Sequence, residues 1–395
     1  MKYMKFSFLI LLLTVNVIFN GCRPEAKENT VEKVMENGVE VVVNHLEPYE
    51  VSNAENELSL DQLFTIDMES ESILKMGLTN IRAFDIDSDG NIFIFQSPET
   101  DAPLVFEFGA AGNFKNSFGK MGQGPEEIQY PHYLGLNHRD EIVMIEGAEK
   151  KLLFFTRKGE LIRKKDLEFI YRPQRGFFLL SNGGFLVHHV PLSPSGTADR
   201  IAVSIFDSEL RQIRTLAEYP FPGSGPEKMS VFLDQVPVIG LSESSIYLGY
   251  GEKNEDIHVY DLNGELKQKI RKEHKRIPVP DDLEERLTER LSGNPIRKHL
   301  FIPQYMPYFQ YFFTDDDEHL YAVTSEKNEA GTNICDIYNP DGVFIEKKAL
   351  GYFDLLMFIY MNEPLDIIAK HGRLYCMRIK ESGFEELIVS EMLWE

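Results

Sequence analysis

One segment of the chain carries closely spaced carboxylates that could bind a cation. Asp85-Ile86-Asp87-Ser88-Asp89-Gly90 has the D-x-D-x-D-G spacing that opens a calcium loop. Such a loop needs a bidentate Glu at its twelfth position, where this chain has Gln96. Asp-Gly is also a common turn between two strands. The segment therefore predicts a structural turn rather than a calcium site.

Adjacent histidines are the other candidate metal ligands. His188 and His189 would point to opposite faces if they lie on a strand, so we expect a loop or channel-lining role for them. The other histidines lack zinc spacing, and three cysteines are too few for a cysteine-rich zinc site. The sequence predicts no metal and no cofactor.

Two further segments resemble catalytic motifs only in part. Gly119–Glu127 is rich in glycine but lacks the G-K-[ST] ending of a phosphate loop, and Ser224 is not in a G-x-S-x-G sequence. We expect Gly119–Glu127 to shape a crossing between two structural units. No motif for nucleophilic or phosphoryl-transfer chemistry is present in the sequence.

Composition limits the partners that the chain can bind. The 395 residues are 43% hydrophobic and 26% charged, with a formal net charge of −22. This is the composition of a globular protein. Its acidity argues against nucleic acid and against electrostatic binding to anionic lipid headgroups, because both need clustered Lys and Arg.

The N-terminus has the pattern of a targeting segment. Lys2 and Lys5 precede the apolar run Phe6–Phe19, which is too short to span a bilayer as a helix. Ile18-Phe19-Asn20-Gly21-Cys22 then resembles the bacterial lipobox. That resemblance implies a lipoprotein signal peptide at 1–21 and lipidation of Cys22. The polar segment 22–57 is predicted to be a flexible tether, within which the apolar run Val39–Val43 is either a short strand or a collapsed patch.

Residues 58–395 contain a repeat of short apolar strands and turns. The first turn of each unit precedes a short apolar strand, and a second turn follows about 20 residues later. Six copies of the first turn are found: Asp87–Gly90, Asn137–Asp140, Ser181–Gly184, Ser242–Ser245, Asp315–Glu318 and Lys370–Gly372. Each unit therefore has four antiparallel strands, and the fold class is all-β, a six-bladed β-propeller.

Two elements stand apart from the repeat. Leu58–Ile66 alternates apolar residues and is predicted to be a latch strand that pairs with Leu387–Val389 and closes the ring. Val279–Gly293 is predicted to be an inserted helix, with Asp281 or Asp282 as its N-cap. Its apolar stripe consists of Leu283, Leu287 and Leu291.

A family resemblance accompanies these patterns. Phe118–Glu127 resembles the "fGkxGxGPxE" loop of six-bladed β-propeller lipoproteins of Bacteroidetes, relatives of the NHL-repeat propellers. Asp85–Phe95 and Phe106–Phe118 are similar to the same repeat. The resemblance implies the fold and an envelope location, and it implies little about activity.

The repeat register also indicates candidate ligand contacts, because propellers bind ligands at the ends of their inner strands. Residues near the starts of these strands are Arg82, His132, Tyr133, Arg175, Tyr308 and Gln310. Cys335 and Cys376 fall in strands of the last two blades, where they are either buried thiols or a disulfide.

The sequence favours a lipid-anchored binding propeller of the bacterial envelope, placed at the outer membrane. It would recognise a peptide, protein or glycan through loops at the channel mouth, without catalysis. One alternative is a propeller enzyme, of lyase or lactonase type, with a channel-bound metal. The other is a scaffold subunit of an envelope complex that uses its loops and the inserted helix.

Overall fold

The described part of the chain forms six blade sheets that follow one another along the sequence, each with antiparallel pairing between its blade strands. The computed structural model describes residues 31–49, 57–97, 102–124, 127–147, 150–171, 176–191, 200–220, 228–231, 237–249, 256–350 and 367–394. Within them, the sheets have the strand order of propeller blades and confirm the predicted six-bladed, all-β fold.

The first three blades are consecutive in sequence. Blade 1 comprises the strands Ala83–Ile86, Ile92–Phe95, Val105–Phe108 and Phe114–Phe118. Blade 2 comprises Pro131–Leu136, Ile142–Glu146, Lys151–Phe155 and Leu161–Asp166. In blade 3 the first position is divided between two short strands that pair with the same neighbour, so the blade comprises Ile170–Tyr171, Phe177–Leu179, Phe185–Val190, Arg200–Phe206 and Gln212–Pro220.

The other three blades adjoin the elements outside the repeat, which are the N-terminal strands and the inserted helix. Blade 4 comprises Val238–Leu241, Ser245–Gly249, Asp256–Asp261 and Leu266–Lys272. Blade 5 comprises Phe309–Thr314, Leu320–Lys327, Asn333–Tyr338 and Phe344–Ala349. Blade 6 comprises Ile367–Lys370, Arg373–Ile379, Glu385–Trp394 and, from the start of the chain, Leu58–Asp67.

The first strand of each blade lies innermost. The first strands of blades 1 and 2 contact each other, as do those of blades 2 and 3, 4 and 5, and 5 and 6. We call the end of the propeller where these strands begin the cavity face, and the end that carries turns such as Asp87–Gly90 the turn face. Gly90 has φ +79°, as the tight turn requires.

Six apolar clusters lie between neighbouring blades. Each cluster combines residues of two successive blades, for example Phe93 and Phe95 of blade 1 with Ile142 and Met144 of blade 2. The same holds between blades 2 and 3, 3 and 4, 4 and 5, 5 and 6, and 6 and 1. The core is therefore a ring of interfaces between sheets rather than one central core.

The predicted latch is confirmed. Leu58–Asp67 pairs antiparallel with Glu385–Trp394, with Ile66 opposite Leu387 and Phe64 opposite Val389. Leu58 is fully buried and Ile66 is 3% exposed. The first described strand of the ring thereby completes the last blade and covers its outer edge.

The predicted tether is wrong over part of its length. Glu32–Glu36 and Val39–Asn44 form a hairpin, and the second of these strands pairs in parallel with Leu266–Lys272 at the outer edge of blade 4. Asn44 fixes it to blade 5, because its Nδ2 donates to the Gly342 carbonyl (3.0 Å) and its Oδ1 accepts from the Phe344 N–H (2.8 Å). This hairpin belongs to the same compact unit as the propeller.

The inserted helix is confirmed, with a correction to its start. It spans Asp281–Arg290, and its N-cap is Pro280, which makes no side-chain capping bond, rather than Asp281 or Asp282. The two aspartates lie in the first turn, where their charge stabilises the positive end of the helix dipole. The Leu stripe is buried with Val231 and Leu300.

The remaining short elements lie outside the blades. They are the helix Glu71–Leu74, which the sequence did not predict, the 3₁₀ turn Pro295–His299, and the parallel strand pair Met229–Ser230 and Leu300–Phe301. No helix among the described residues is long and apolar enough to cross a membrane.

Truncation tests both the latch and the hairpin. A chain that starts at Glu55 loses the hairpin, in which Val41 and Val42 are fully buried. Since each such side chain contributes about 1.5–3 kcal/mol, we expect a melting temperature several degrees lower. A chain that starts at Ser70 also loses the latch, so its melting temperature should be lower still. It should also aggregate through the open strand edge.

The matched control is a chain that starts at Val31, which keeps both elements and should melt like the longer chain. Differential scanning calorimetry measures all three. Equal melting temperatures for the Glu55 and Val31 chains would contradict the packing of the hairpin.

Candidate functional site

Blade 5 departs from regular strand pairing at the cavity face. Gln310 lies in a bulge of the first strand, since Phe309 pairs with Thr324 and Tyr311 with Val323. A wider irregularity follows in the second strand, where Thr324–Glu326 stands between the paired positions Val323 and Lys327. Bulges of this kind redirect side chains and occur often beside functional sites.

A cavity of about 620 Å³ lies at these bulges. Its walls come from the residues after the hairpin, from the loop and first turn of the inserted helix, and from blade 5. The described lining residues are Leu46, Glu47, Lys275, Ile277, Pro280, Asp282, Leu283, Arg286, Met306, Gln310, Ser325, Glu326, Lys327, Asn333 and Lys347. We call this the blade 5 cavity.

Three buried polar side chains line the blade 5 cavity. Gln310 Nε2 donates to Ser325 Oγ (2.9 Å), and Ser325 Oγ donates to the Pro307 carbonyl (2.5 Å). Asn333, 1% exposed, donates from Nδ2 to the Thr324 carbonyl (2.7 Å). Its Oδ1 is buried and accepts no hydrogen bond from the described residues. A buried acceptor without a partner destabilises the fold by about 1–3 kcal/mol, so this oxygen suits a ligand donor.

A buried ionic network supports the cavity from the interface of blades 4 and 5. Lys272 Nζ lies 3.2 Å from Asp336 Oδ2 and 3.1 Å from the Tyr308 hydroxyl, which also donates to Asp336. Burial raises the pKa of Asp336 and lowers that of Lys272, while each charge favours the ionised form of the other. The His274 ring stacks on Tyr308 at 4.1 Å. The network fixes Tyr308, whose carbonyl accepts from the Ser325 N–H (3.2 Å).

The inserted helix forms one wall of the cavity. Leu283 and Leu287 are 6% and 0% exposed, and they pack with Leu300 and Val231. This packing places Pro280 and Asp282 at the cavity. The stripe is therefore covered by the chain itself and is not the free docking surface that the scaffold alternative requires.

Two of the predicted ligand residues lie at the blade 5 cavity, and the others that the structure describes lie at blades 1 and 2. Gln310 lines the blade 5 cavity, and Tyr308 lies beneath it in the ionic network. His132 occupies a bulge at the start of blade 2, where burial and then the positive charge of Arg82 lower its pKa. Tyr133 packs edge-on against Phe177 of blade 3 (5.5 Å), a contact between blades. Arg175 and Cys22 lie outside the described residues.

The predicted calcium-like turn is held by its own hydrogen bonds. Asp87 Oδ1 accepts from the N–H groups of Asp89 (3.0 Å) and Asn91 (2.7 Å), and Arg157 pairs with Asp87 Oδ2 (2.9 Å). These are the contacts of a structural turn. Across the described part of the chain, no three His, Cys, Asp or Glu side chains are grouped to hold a metal.

The paired histidines do not line a channel, contrary to expectation. Both are buried in the second strand of blade 3, where His188 Nδ1 bonds the Tyr219 hydroxyl (3.1 Å) and His189 Nε2 bonds Ser204 Oγ (3.0 Å). Cys335 and Cys376 are free thiols, and burial raises the pKa of both.

Comparison with known proteins agrees with the fold. Residues 70–236 match the model of the DUF5128 family, described as a six-bladed β-propeller. No curated protein matches the sequence. A member of the DUF4221 family from Bacteroides vulgatus has a similar structure, with a TM-score of 0.52 at 9% identity over 86% of this chain and 100% of the other.

Two further structures align with lower TM-scores. A candidate exported protein from Bacteroides fragilis aligns at 13% identity and a TM-score of 0.49, over 89% of this chain and 99% of that one. A virginiamycin B lyase from Staphylococcus aureus aligns at 13% identity and a TM-score of 0.39, over 84% and 88%. Likeness at this level concerns the fold and assigns no activity to this chain.

The open acceptor of Asn333 gives a stability test. Asn333→Leu removes one hydrogen bond, worth about 1 kcal/mol, and also removes a buried unpaired oxygen. Because the Thr324 carbonyl also loses a donor, these effects oppose each other, and we expect the free energy of unfolding to change by no more than about 1 kcal/mol. A matched control is Asn91, also buried, whose Nδ2 donates to Asp87 (2.8 Å) and whose Oδ1 accepts from Lys115 (2.6 Å).

Asn91→Leu should lower the free energy of unfolding by about 2–4 kcal/mol, because it breaks two charge-assisted hydrogen bonds. Urea titrations of the two variants and the unmodified chain measure the difference. If Asn333→Leu loses as much stability as Asn91→Leu, then Asn333 is a structural residue and its oxygen has a partner.

Proposed function

We propose that this chain is a lipid-anchored, non-catalytic binding protein of the bacterial envelope, and that its propeller holds a ligand in the blade 5 cavity. The observation that carries the proposal is the buried Asn333 oxygen without a partner in a cavity of about 620 Å³. Ligand sites are concave, span about 300–1,000 Å³ and contain a few fixed polar groups. Gln310, Ser325 and Asn333 are such groups, since each is held by a hydrogen bond to its neighbour.

The position of the cavity refines the expected site. It lies above the junction of blades 4 and 5 and reaches from the inner strand, at Gln310, to the outer strand, at Lys347. The site is thus beside the channel mouth rather than in it. A peptide or glycan of small size fits a cavity of this volume better than the surface of a folded protein does.

Ligand capture tests this proposal. The purified full chain is incubated with the small-molecule fraction of an envelope extract and analysed by native mass spectrometry. We expect a bound mass that is lost in Asn333→Leu and in Met306→Trp, which fills the cavity from its half-exposed wall. Lys158→Ala, an exposed site on the turn face, is the control and should bind normally.

Binding that persists in both cavity variants would place the site elsewhere. Elemental analysis of the same sample distinguishes the enzyme alternative. A calcium or zinc ion at one per chain, together with turnover of the captured molecule, would favour catalysis over simple binding.

Lipidation of Cys22 is the second part of the proposal, supported by the lipobox-like sequence before it. We expect Cys22→Ser to move the protein from the membrane fraction to the soluble fraction. Fractionation and intact-mass measurement check the result, and a membrane-bound variant of unmodified mass would contradict it.

A further inference from the structure

The buried amide side chains of the blade 5 cavity offer a ligand hydrogen-bond acceptors rather than donors. Asn333 is held through its nitrogen, and its oxygen is open. Gln310 is also held through its nitrogen, so its oxygen is the group that can accept from a ligand. The Ser325 hydroxyl already donates to Pro307 and accepts from Gln310. The inner part of the cavity therefore presents carbonyl oxygens, and a matching ligand must bring N–H or O–H donors.

The rim of the blade 5 cavity carries charged side chains, some of them in ion pairs. Lys347 pairs with Glu326 (3.3 Å), and Arg286 pairs with Asp282 (3.3 Å). Among the described residues, Lys275 and Lys327 lie within 4.0 Å of no carboxylate; both are exposed and both line the cavity. Glu47 is the one described lining carboxylate outside an ion pair. In a chain of net charge −22, this lining carries four basic and three acidic groups, a local balance that admits an anion.

The walls indicate which class of ligand carries these groups. They are aliphatic, formed by Leu46, Ile277, Leu283 and Met306, and no aromatic ring is among the described lining residues. Saccharides are usually held against aromatic rings, whereas aliphatic walls with amide groups suit a polypeptide backbone and its side chains.

We propose that the blade 5 cavity binds a short peptide with a free carboxyl end, an inference that rests on the proposed binding function. Backbone or terminal N–H groups of the peptide donate to Asn333 Oδ1 and to Gln310. The carboxylate lies at the rim beside Lys275 and Lys327. No covalent step is involved.

The test uses the full chain and a pool of free L-tripeptides. Affinity selection with mass spectrometry identifies the tightest tripeptide, and isothermal titration calorimetry measures its Kd. Amidating the C-terminus of that peptide should weaken binding about tenfold, because a charge-assisted contact is lost. Asn333→Leu should weaken it by at least as much, whereas Lys158→Ala should leave Kd unchanged.

A double comparison isolates the carboxylate contact. In the Lys275→Ala/Lys327→Ala variant, the free and amidated peptides should bind with nearly equal Kd, because the group that tells them apart is gone. Both lysines are exposed, so the variant is expected to fold normally, and its melting temperature verifies this.

Other outcomes distinguish a failure of the proposed binding site from a failure of the peptide inference. If maltotriose or cellotriose binds in an Asn333-dependent way and the tripeptides do not, the cavity is a binding site and the peptide class is wrong. If tripeptides bind with the same Kd in Asn333→Leu, the peptide site lies elsewhere. If no tripeptide from the pool is retained at millimolar concentration, the peptide inference is overturned.

Discussion

The structure depends on one constraint, which is that each four-stranded blade has two apolar faces that only its neighbours can cover. The second strand of blade 1 shows it directly, since Ile92–Phe95 is fully buried at all four positions. Ile92 and Ile94 pack into the cluster shared with blade 6, while Phe93 and Phe95 pack into the cluster shared with blade 2. Because successive side chains of this strand point to opposite faces, the strand packs against both neighbouring blades. An unclosed ring would leave one such face exposed. The strand Leu58–Asp67 closes the ring because it completes blade 6 from the start of the chain.

This constraint leaves only the two ends of the propeller free to vary. Strand interiors must alternate between two packed interfaces, so a polar ligand group cannot be placed there without loss of packing. At the cavity face of blade 5, the ladder is interrupted at Gln310 and again at Thr324–Glu326. The neighbouring ionic network of Lys272, Asp336 and Tyr308 compensates by direct bonding across blades 4 and 5. Removing one partner of such a buried pair costs several kcal/mol, so the irregular end is held firmly.

The features that sequence could predict are those that local residues determine. Turns such as Asp87–Gly90 need residues that tolerate positive φ or bond their own backbone, and they therefore appear as a repeat. The latch and the Leu stripe were predictable from periodicity for the same reason. Only the second strand of the hairpin was a candidate, at Val39–Val43, because Glu32 and Lys33 of the first strand face solvent and resemble a spacer. Asn37-Gly38 between them, with φ of 52° and 83°, is nevertheless a recognisable hairpin turn.

The cavity residues illustrate the opposite case. Asn333 and Ser325 belong to no motif, and an Asn or Ser in a strand of an acidic chain is unremarkable. Their position at the cavity depends on the irregularity between Val323 and Lys327, where Thr324–Glu326 has no paired position and Asn333, opposite Lys327, bonds the Thr324 carbonyl. Register at a bulge is set by packing across the whole blade, so it has no local signature. Gln310, which also lines the cavity, was selected from repeat register alone, because it stands at the start of an inner strand.

The blade 5 cavity is built from segments that lie far apart in the sequence. Leu46 and Glu47 follow the hairpin, Asp282 and Leu283 belong to the inserted helix, and Asn333 belongs to blade 5. The bonds of Asn44 to Gly342 and Phe344 help to hold these segments together, since they join the strand at the outer edge of blade 4 to blade 5. A ligand that contacts all three segments would bind the chain with its hairpin docked in preference to the chain with its hairpin undocked. By linkage it must stabilise the docked hairpin by the same free energy that the docked hairpin adds to binding.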